Sequence, residues 1–387
     1  MIMNLKKQLA TCISSLLFSI LYMNAQEAVH NFGTLKIHDT GSLGFHGDLI
    51  NDGSFDENLG LAGFYNENNA IISGAFRPIF NDLEVVVNNH LELEVGVGIT
   101  NNSNFVIGNI VTPREQLNIT LDYNNNAFYT GETAATKVDG YSAITNKQNF
   151  LFPIGNTNKI RPLELLSSNT NMYAKAAYFY EDPNNPSTFA TNFNTNTKSD
   201  ILLRLSNFEF WDLDGEVLST VKLHWDSESQ INEIVNTLED LRVVGWNRDE
   251  NMWVDLGNST FSGDFNAGTI TSNEFIPEDY DIITFGESLS TESITLDNYI
   301  LTPNSDGIND YLEIDAVALS PNNKLEIYNR WGRIVYSEVN YKNRFNGIAN
   351  NEFTVSKKNG LPDGIYFYII SLYDIDIKHQ GYLYINQ

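Results

Sequence analysis

The chain has 387 residues, 49 of them acidic and 23 basic, for a formal charge of −26. So acidic a surface repels phosphate backbones and anionic lipid, which sets nucleic-acid binding aside, while it attracts divalent cations and keeps a β-rich protein in solution. The length is sufficient for two or three domains, each with its own core.

The first 26 residues carry Lys6 and Lys7, an apolar stretch over 13–21, and Asn24-Ala25-Gln26 as a cleavage region. This is the layout of a secretory signal peptide. The apolar stretch is far short of the roughly 20 residues of a spanning helix, so no transmembrane anchor is expected. Cys12, the single cysteine, precedes the apolar stretch and is expected to leave with the signal. The mature chain is then expected to hold no disulfide and no cysteine chemistry.

From Val29 to about Tyr141, short apolar or alternating runs such as Leu35-Lys36-Ile37, Leu83-Glu84-Val85-Val86-Val87 and Leu91-Glu92-Leu93-Glu94-Val95 are broken by Gly, Asn and Asp. Helical periodicity is absent. Runs recurring at coil-like intervals predict a β-solenoid-like domain over 27–149, with Asn and Gly at the corners; the irregular repeat leaves a β-sandwich as the alternative. His38, Asp39, His46 and Asp48 can be drawn as a metal cluster, yet no spacing holds them on one face, so scattered surface residues are expected.

Phe152-Pro153-Ile154-Gly155 followed by Arg161-Pro162 is a strand, a stop and a new strand, and predicts a second domain over 150–286. Its alternating runs, among them Tyr173 to Tyr180 and Val221 to Trp225, predict a β-sandwich. Glu181 to Ser199 is expected to be a long surface loop. One helix is predicted after Ser227, where a capping box precedes Ile231, Ile234, Val235, Leu238 and Leu241 at helical spacing. Trp246 and Trp253 flank a polar hairpin tip and admit two readings, a sugar-stacking platform or buried core. A polar linker is expected over 287–295.

The last ninety residues hold the densest motifs. Leu301-Thr302-Pro303-Asn304-Ser305-Asp306-Gly307-Ile308-Asn309-Asp310 predicts a tightly wound loop, since Pro fixes φ, Gly admits positive φ, and Asn and Asp bond nearby backbone. Two alternating runs flank Asn329-Arg330-Trp331-Gly332 and predict a hairpin. Leu361-Pro362-Asp363-Gly364-Ile365-Tyr366 is a turn feeding a strand, and Gly381-Tyr382-Leu383-Tyr384-Ile385 ends the last one. Five or six short strands predict a small Ig-like sandwich over 296–387.

These motifs, with Tyr341 and Gly347 between them, stand in the order that resembles the gliding-motility-associated C-terminal domain, the type B sorting domain of type IX secretion cargo in Bacteroidota. Phe345-Asn346-Gly347 departs from the family's usual Trp-Asp-Gly. The resemblance implies export through the type IX translocon, with a PorP/SprF-like outer-membrane protein as partner, to the cell surface or beyond. The spacing from Phe152 to Pro162 also resembles a stretch found in other type IX cargo.

No nucleophile elbow, His-Glu-x-x-His, phosphate loop or paired-cysteine metal site is present in the sequence. A glycosidase needs only two carboxylates about 5 to 10 Å apart, so composition alone does not separate enzyme from binder. Thr302, Asn304, Asp306 and Asp310 fit the spacing of a small calcium loop with Thr in place of the first carboxylate, or else an Asx-rich turn. Trp331 reads as buried core of the hairpin, where truncation would cost about 3–5 kcal/mol. The expectation is an all-β, non-enzymatic adhesin or surface-structural protein, with a polysaccharide-binding module or glycan hydrolase as the alternative.

Overall fold

The computed structural model describes residues 28–288, 298–351, 360–373 and 377–386. The expected signal peptide with Cys12, and all of the expected linker but Glu287 and Ser288, lie outside them. Those two residues belong to the strand Tyr280–Ser288. Strands account for 54% of the described residues and helices for 5%, so the fold is all-β.

The first part coils instead of folding into hairpins. Ala28–Asn31 pairs in parallel with Asp48–Asn51, which pairs with Ala70–Ser73, which pairs with the end of Ile79–Leu93. A second flank stacks Ser42–Phe45, Leu61–Asn66, Ile79–Leu93, Val97–Val111 and Phe128–Thr130, again in parallel. Ala28 stands opposite Asp48 and Ala70 opposite Leu91, so one coil takes about twenty residues. The result is a β-solenoid of about six turns.

Inward residues stack coil upon coil: the Phe45 and Phe64 rings lie 4.7 Å apart and nearly parallel, and Phe80 meets Phe64 edge-on at 6.2 Å. Corners are closed by asparagines. Asn31 donates to Asn51 Oδ1 (2.8 Å), Asn51 donates to the Phe76 carbonyl (2.8 Å), and Asn58 bridges Ile37 N–H to the Ile79 carbonyl. A side-chain amide offers a donor and an acceptor together, which is what a backbone corner cut off from both ladders requires.

The second part is a sandwich built on one long strand, Leu163–Phe179. Its first half pairs with Ser219–Asp226 and its second half with Phe210–Gly215, so a single strand feeds two sheets. One sheet continues through Ala267–Thr271 to Thr260–Asp264, the other through Tyr280–Ser288 to Leu241–Asn247 and Met252–Gly257. Ser142–Phe152 pairs in parallel with Leu121–Asn124 of the solenoid and antiparallel with Leu163–Phe179 of the sandwich. Residue 150 therefore falls inside a strand shared by both parts, and one apolar core runs from Ile37 to Phe285.

Buried polar groups pin this junction. Tyr141 donates to Asp212 at 2.5 Å, Tyr178 donates to Glu209 at 2.5 Å, and the Arg161 guanidinium pairs with Glu209 (3.0 Å) and Asp226 (2.8 Å). Arg161 thus finds two carboxylate partners for a charge buried to 3% exposure, and only the loss of both would leave it unpaired.

The helix expected after Ser227 is cut short. Asp226, one residue earlier, forms the capping box with Ser229, but Gln230 adopts φ +51° and breaks the run, leaving one turn at Ile231–Ile234 and a 3-10 turn at Leu238–Asp240. Ile231, Ile234 and Val235 are buried as the spacing demands, so the apolar pattern persists without the helix. The loop 181–199 also departs from a plain surface loop, since Phe193 is buried and Phe189 packs with it over Phe179, Phe210 and Trp246.

Candidate functional site

The C-terminal region forms one sheet of five strands, in the order Tyr299–Leu301, Ile377–Ile385, Gly364–Leu372, Asn323–Tyr328, Ile334–Val339. The first pair is parallel and the rest antiparallel. On one face Leu325, Ile327, Tyr368, Ile370 and Leu383 are fully buried beneath Leu312, Ile314, Tyr341, Phe345 and Leu361. Tyr341 donates to the Leu312 carbonyl (2.5 Å) and accepts from Phe345 N–H (3.1 Å). Phe345 is 1% exposed against Tyr336, so the aromatic of the altered Phe-Asn-Gly segment still fills the core.

The opposite face is apolar too, and open. The two-residue period that buries Tyr366, Tyr368 and Ile370 turns Ile365, Phe367 and Ile369 outward. Register aligns Ile300, Tyr384 and Ile365 in one row, and Tyr382, Phe367 and Tyr328 in the next. Ile300, Ile365, Phe367, Tyr382 and Tyr384 are each exposed. A groove of about 690 Å³ runs along this face from Asn298 and Gln380 past Phe367 to Arg330.

The hairpin tip stands at the end of that groove. Asn329 Oδ1 accepts the N–H groups of Trp331 (3.1 Å) and Arg333 (3.0 Å), its carbonyl accepts Gly332 N–H (2.9 Å), and Gly332 sits at φ +73°. The turn is thereby fixed without Trp331, whose side chain is 74% exposed. The expected burial of Trp331 is overturned: strand alternation would bury it, but it occupies the turn itself, where alternation stops. The Arg330 guanidinium lies 4.2 Å from the centre of its ring.

The loop at 302–310 closes on itself. Asp310 accepts Ser305 N–H (2.6 Å) and Gly307 N–H (2.8 Å) with its two oxygens, Asp306 accepts Ile308 N–H (2.9 Å), and Asn304 Oδ1 accepts Asp306 N–H (3.0 Å). Thr302 donates to the Ile308 carbonyl, and Gly307 takes φ +87° directly after Pro303, Asn304, Ser305 and Asp306. At the other turn, Asp363 precedes Gly364 (φ +147°), and Tyr366 donates to the Pro362 carbonyl (2.9 Å). Gly381 lies under the Tyr368 ring, where a Cβ would stand 2.6 Å from a ring carbon.

Residues 294–385 match the family model described as CHU_C Type IX secretion signal domain. This domain is the chain's type IX secretion signal. It directs the protein to the cell surface or the extracellular space, and it implies contact with the secretion system. No curated protein and no solved structure gives a significant match.

Outside the secretion signal domain, Trp246 and Trp253 face each other across the hairpin, edge to face with ring centres 5.8 Å apart. Both are buried, and Trp253 donates its ring N–H to the Phe193 carbonyl (3.3 Å). The sugar platform is therefore ruled out at this pair, because the loop 181–199 covers it. His38, Asp39 and His46 are scattered exposed residues and Asp48 caps Ile71 N–H; among the described residues no group of three or more His, Cys, Asp or Glu side chains gathers to hold a metal. The signal that locates the open face was present in Ile365-Tyr366-Phe367-Tyr368-Ile369-Ile370. A strand apolar at every position needs cover on both sides, and the domain supplies one.

Proposed function

We propose that the open aromatic face of the secretion signal domain, with Arg330 and Trp331 at its end, is the surface by which the chain engages the type IX machinery, through an outer-membrane protein of the PorP/SprF-like kind. The observation that carries this is Trp331: a tryptophan held 74% exposed on a rigid turn, beside two rows of exposed apolar side chains, contributes nothing to its own core. Tryptophan and arginine are the side chains that most often anchor protein interfaces.

The rest of the described chain, residues 28–288, is the delivered cargo, and we read it as a non-enzymatic adhesin or surface-structural body. Stacked parallel coils joined to a sandwich by one shared core make a stiff scaffold with long flanks, which suits contact over an extended surface. A polysaccharide-binding module or glycan hydrolase is the alternative; incubation with glycans separates the hydrolase from either binder, since a hydrolase releases reducing ends and a binder does not.

The test of the export surface is the full chain carrying Trp331→Ala and Phe367→Ser, followed in type IX-competent cells and in cells lacking the translocon. Surface delivery is expected to be lost for the variant in competent cells, while the purified variant keeps the wild-type unfolding midpoint. Delivery equal to wild type would remove this face from the export step.

A further inference from the structure

On the outer flank of the solenoid, register places Gly44, Gly63, Glu84, Asn104 and Thr130 in one row across five coils. Tyr65 bends back over the glycine end of that row. A Cβ on Gly63 would stand 2.4 Å from ring carbons of Tyr65, and one on Gly44 3.3 Å from its Cε2. The ring therefore lies over the backbone where side chains are missing, half-buried, with the His46 ring 5.7 Å away at a tilt of 33°.

The polar groups beside it are fixed by one another. Tyr65 donates to Glu84 Oε1 (2.9 Å), Asn104 Nδ2 donates to Glu84 Oε2 (3.0 Å), Thr130 donates to Asn104 Oδ1 (3.1 Å), and Asn102 Nδ2 donates to Thr130 Oγ1 (3.3 Å).

We infer that this strip binds a strand of neutral polysaccharide, a site that rests on reading residues 28–288 as a surface-binding body. A flat aromatic ring backed by the sheet is a stacking platform for the C–H face of a pyranose. The planar carboxylate and amides beyond it present paired acceptors and donors to neighbouring hydroxyls. Because these groups are already ordered, little side-chain freedom is lost on binding. Adjacent coils lie about 4.8 Å apart, close to the length of one sugar residue, so successive groups fall under successive residues of an extended glycan. Charge selects among glycans: residues 27–295 carry 38 acidic against 13 basic side chains, which repels uronates and sulfated chains.

The experiment is affinity electrophoresis of the purified full chain in gels containing mannan, dextran, xyloglucan or glucomannan, with alginate and polygalacturonate as anionic counterparts. At least one neutral polymer is expected to retard the wild type, with Tyr65→Ala weakening binding at least tenfold and Tyr65→Phe, which keeps the ring, retaining most of it. Retardation by none of the neutral polymers, equal binding by Tyr65→Ala, or preference for the anionic ones would overturn the site. Unfolding midpoints of the variants separate lost binding from lost fold. Tyr65→Ala is expected to leave surface delivery unchanged, so failure of this site and failure of the export surface register in different assays.

Discussion

The body at 28–288 and the secretion signal domain handle exposed surface in opposite ways. The body is strongly acidic and hides its largest aromatics, with Trp211 and Trp253 fully buried. Residues 296–387 carry 11 acidic and 8 basic side chains, close to neutral, and leave an aromatic sheet face and Trp331 open. Charge on the body keeps the whole chain soluble, so the small domain is free to carry a patch that would otherwise promote association. Most of the acidic charge and the open aromatic face thus lie in different parts of one chain.

The most direct way to break this comparison is to truncate one tryptophan from each part. Trp253→Ala removes a fully buried ring from the core beneath the loop 181–199, and is expected to cost about 3–5 kcal/mol in a denaturant titration. Trp331→Ala is expected to cost less than about 1 kcal/mol, because the Asn329 and Gly332 turn holds without it. Equal losses would mean that the signal domain uses Trp331 for its own stability.

A second probe concerns the buried polar seam where solenoid meets sandwich. Burial, and next the nearby Asp214 carboxylate, push the Asp212 carboxyl up to about 7. The folded state then keeps a proton that the unfolded chain releases near its ordinary value, so folding binds protons between the two. Stability from this group is expected to be full in acid, to fall as pH rises from about 4 to 7, and to stay lower above that. Asp212→Asn, which still accepts from Tyr141, is expected to flatten the fall, so that it gains on the wild type from pH 5 to pH 8 in thermal melts. A wild type as stable at pH 8 as at pH 5, relative to the variant, would show that Asp212 is ionised throughout.

How far the sequence announced these features depends on the range of the physics involved. Alternation and corner asparagines are local, so the solenoid and the sandwich strands could be read from short windows. The capping pattern after Ser227 is local as well, but it shows neither that Asp226 takes the cap one residue earlier nor that Gln230 turns left-handed and breaks the run. Ser142–Phe152 could not be seen as a shared strand, because its two partners lie on either side of it in the chain. Trp331 failed for a different reason: hydrophobicity argues for burial, and only the turn geometry set by Asn329 decides against it.

The smallest effect is expected from calcium at the loop 302–310, where ion ligation and a self-bonded turn make different demands on the same oxygens. Both oxygens of Asp310 already accept backbone N–H groups, and Asp306 accepts Ile308 N–H, so a cation would have to share or displace these bonds. Millimolar calcium against excess chelator is therefore expected to move the melting midpoint of the full chain by less than about 2 °C. Asp310→Asn is expected to cost about 1 kcal/mol in either buffer, since an amide offers one acceptor oxygen where two N–H groups need partners. A larger calcium shift that Asp310→Asn abolishes would instead assign the loop to the ion. It would also add a cation-dependent step to the folding of the domain that carries the export signal.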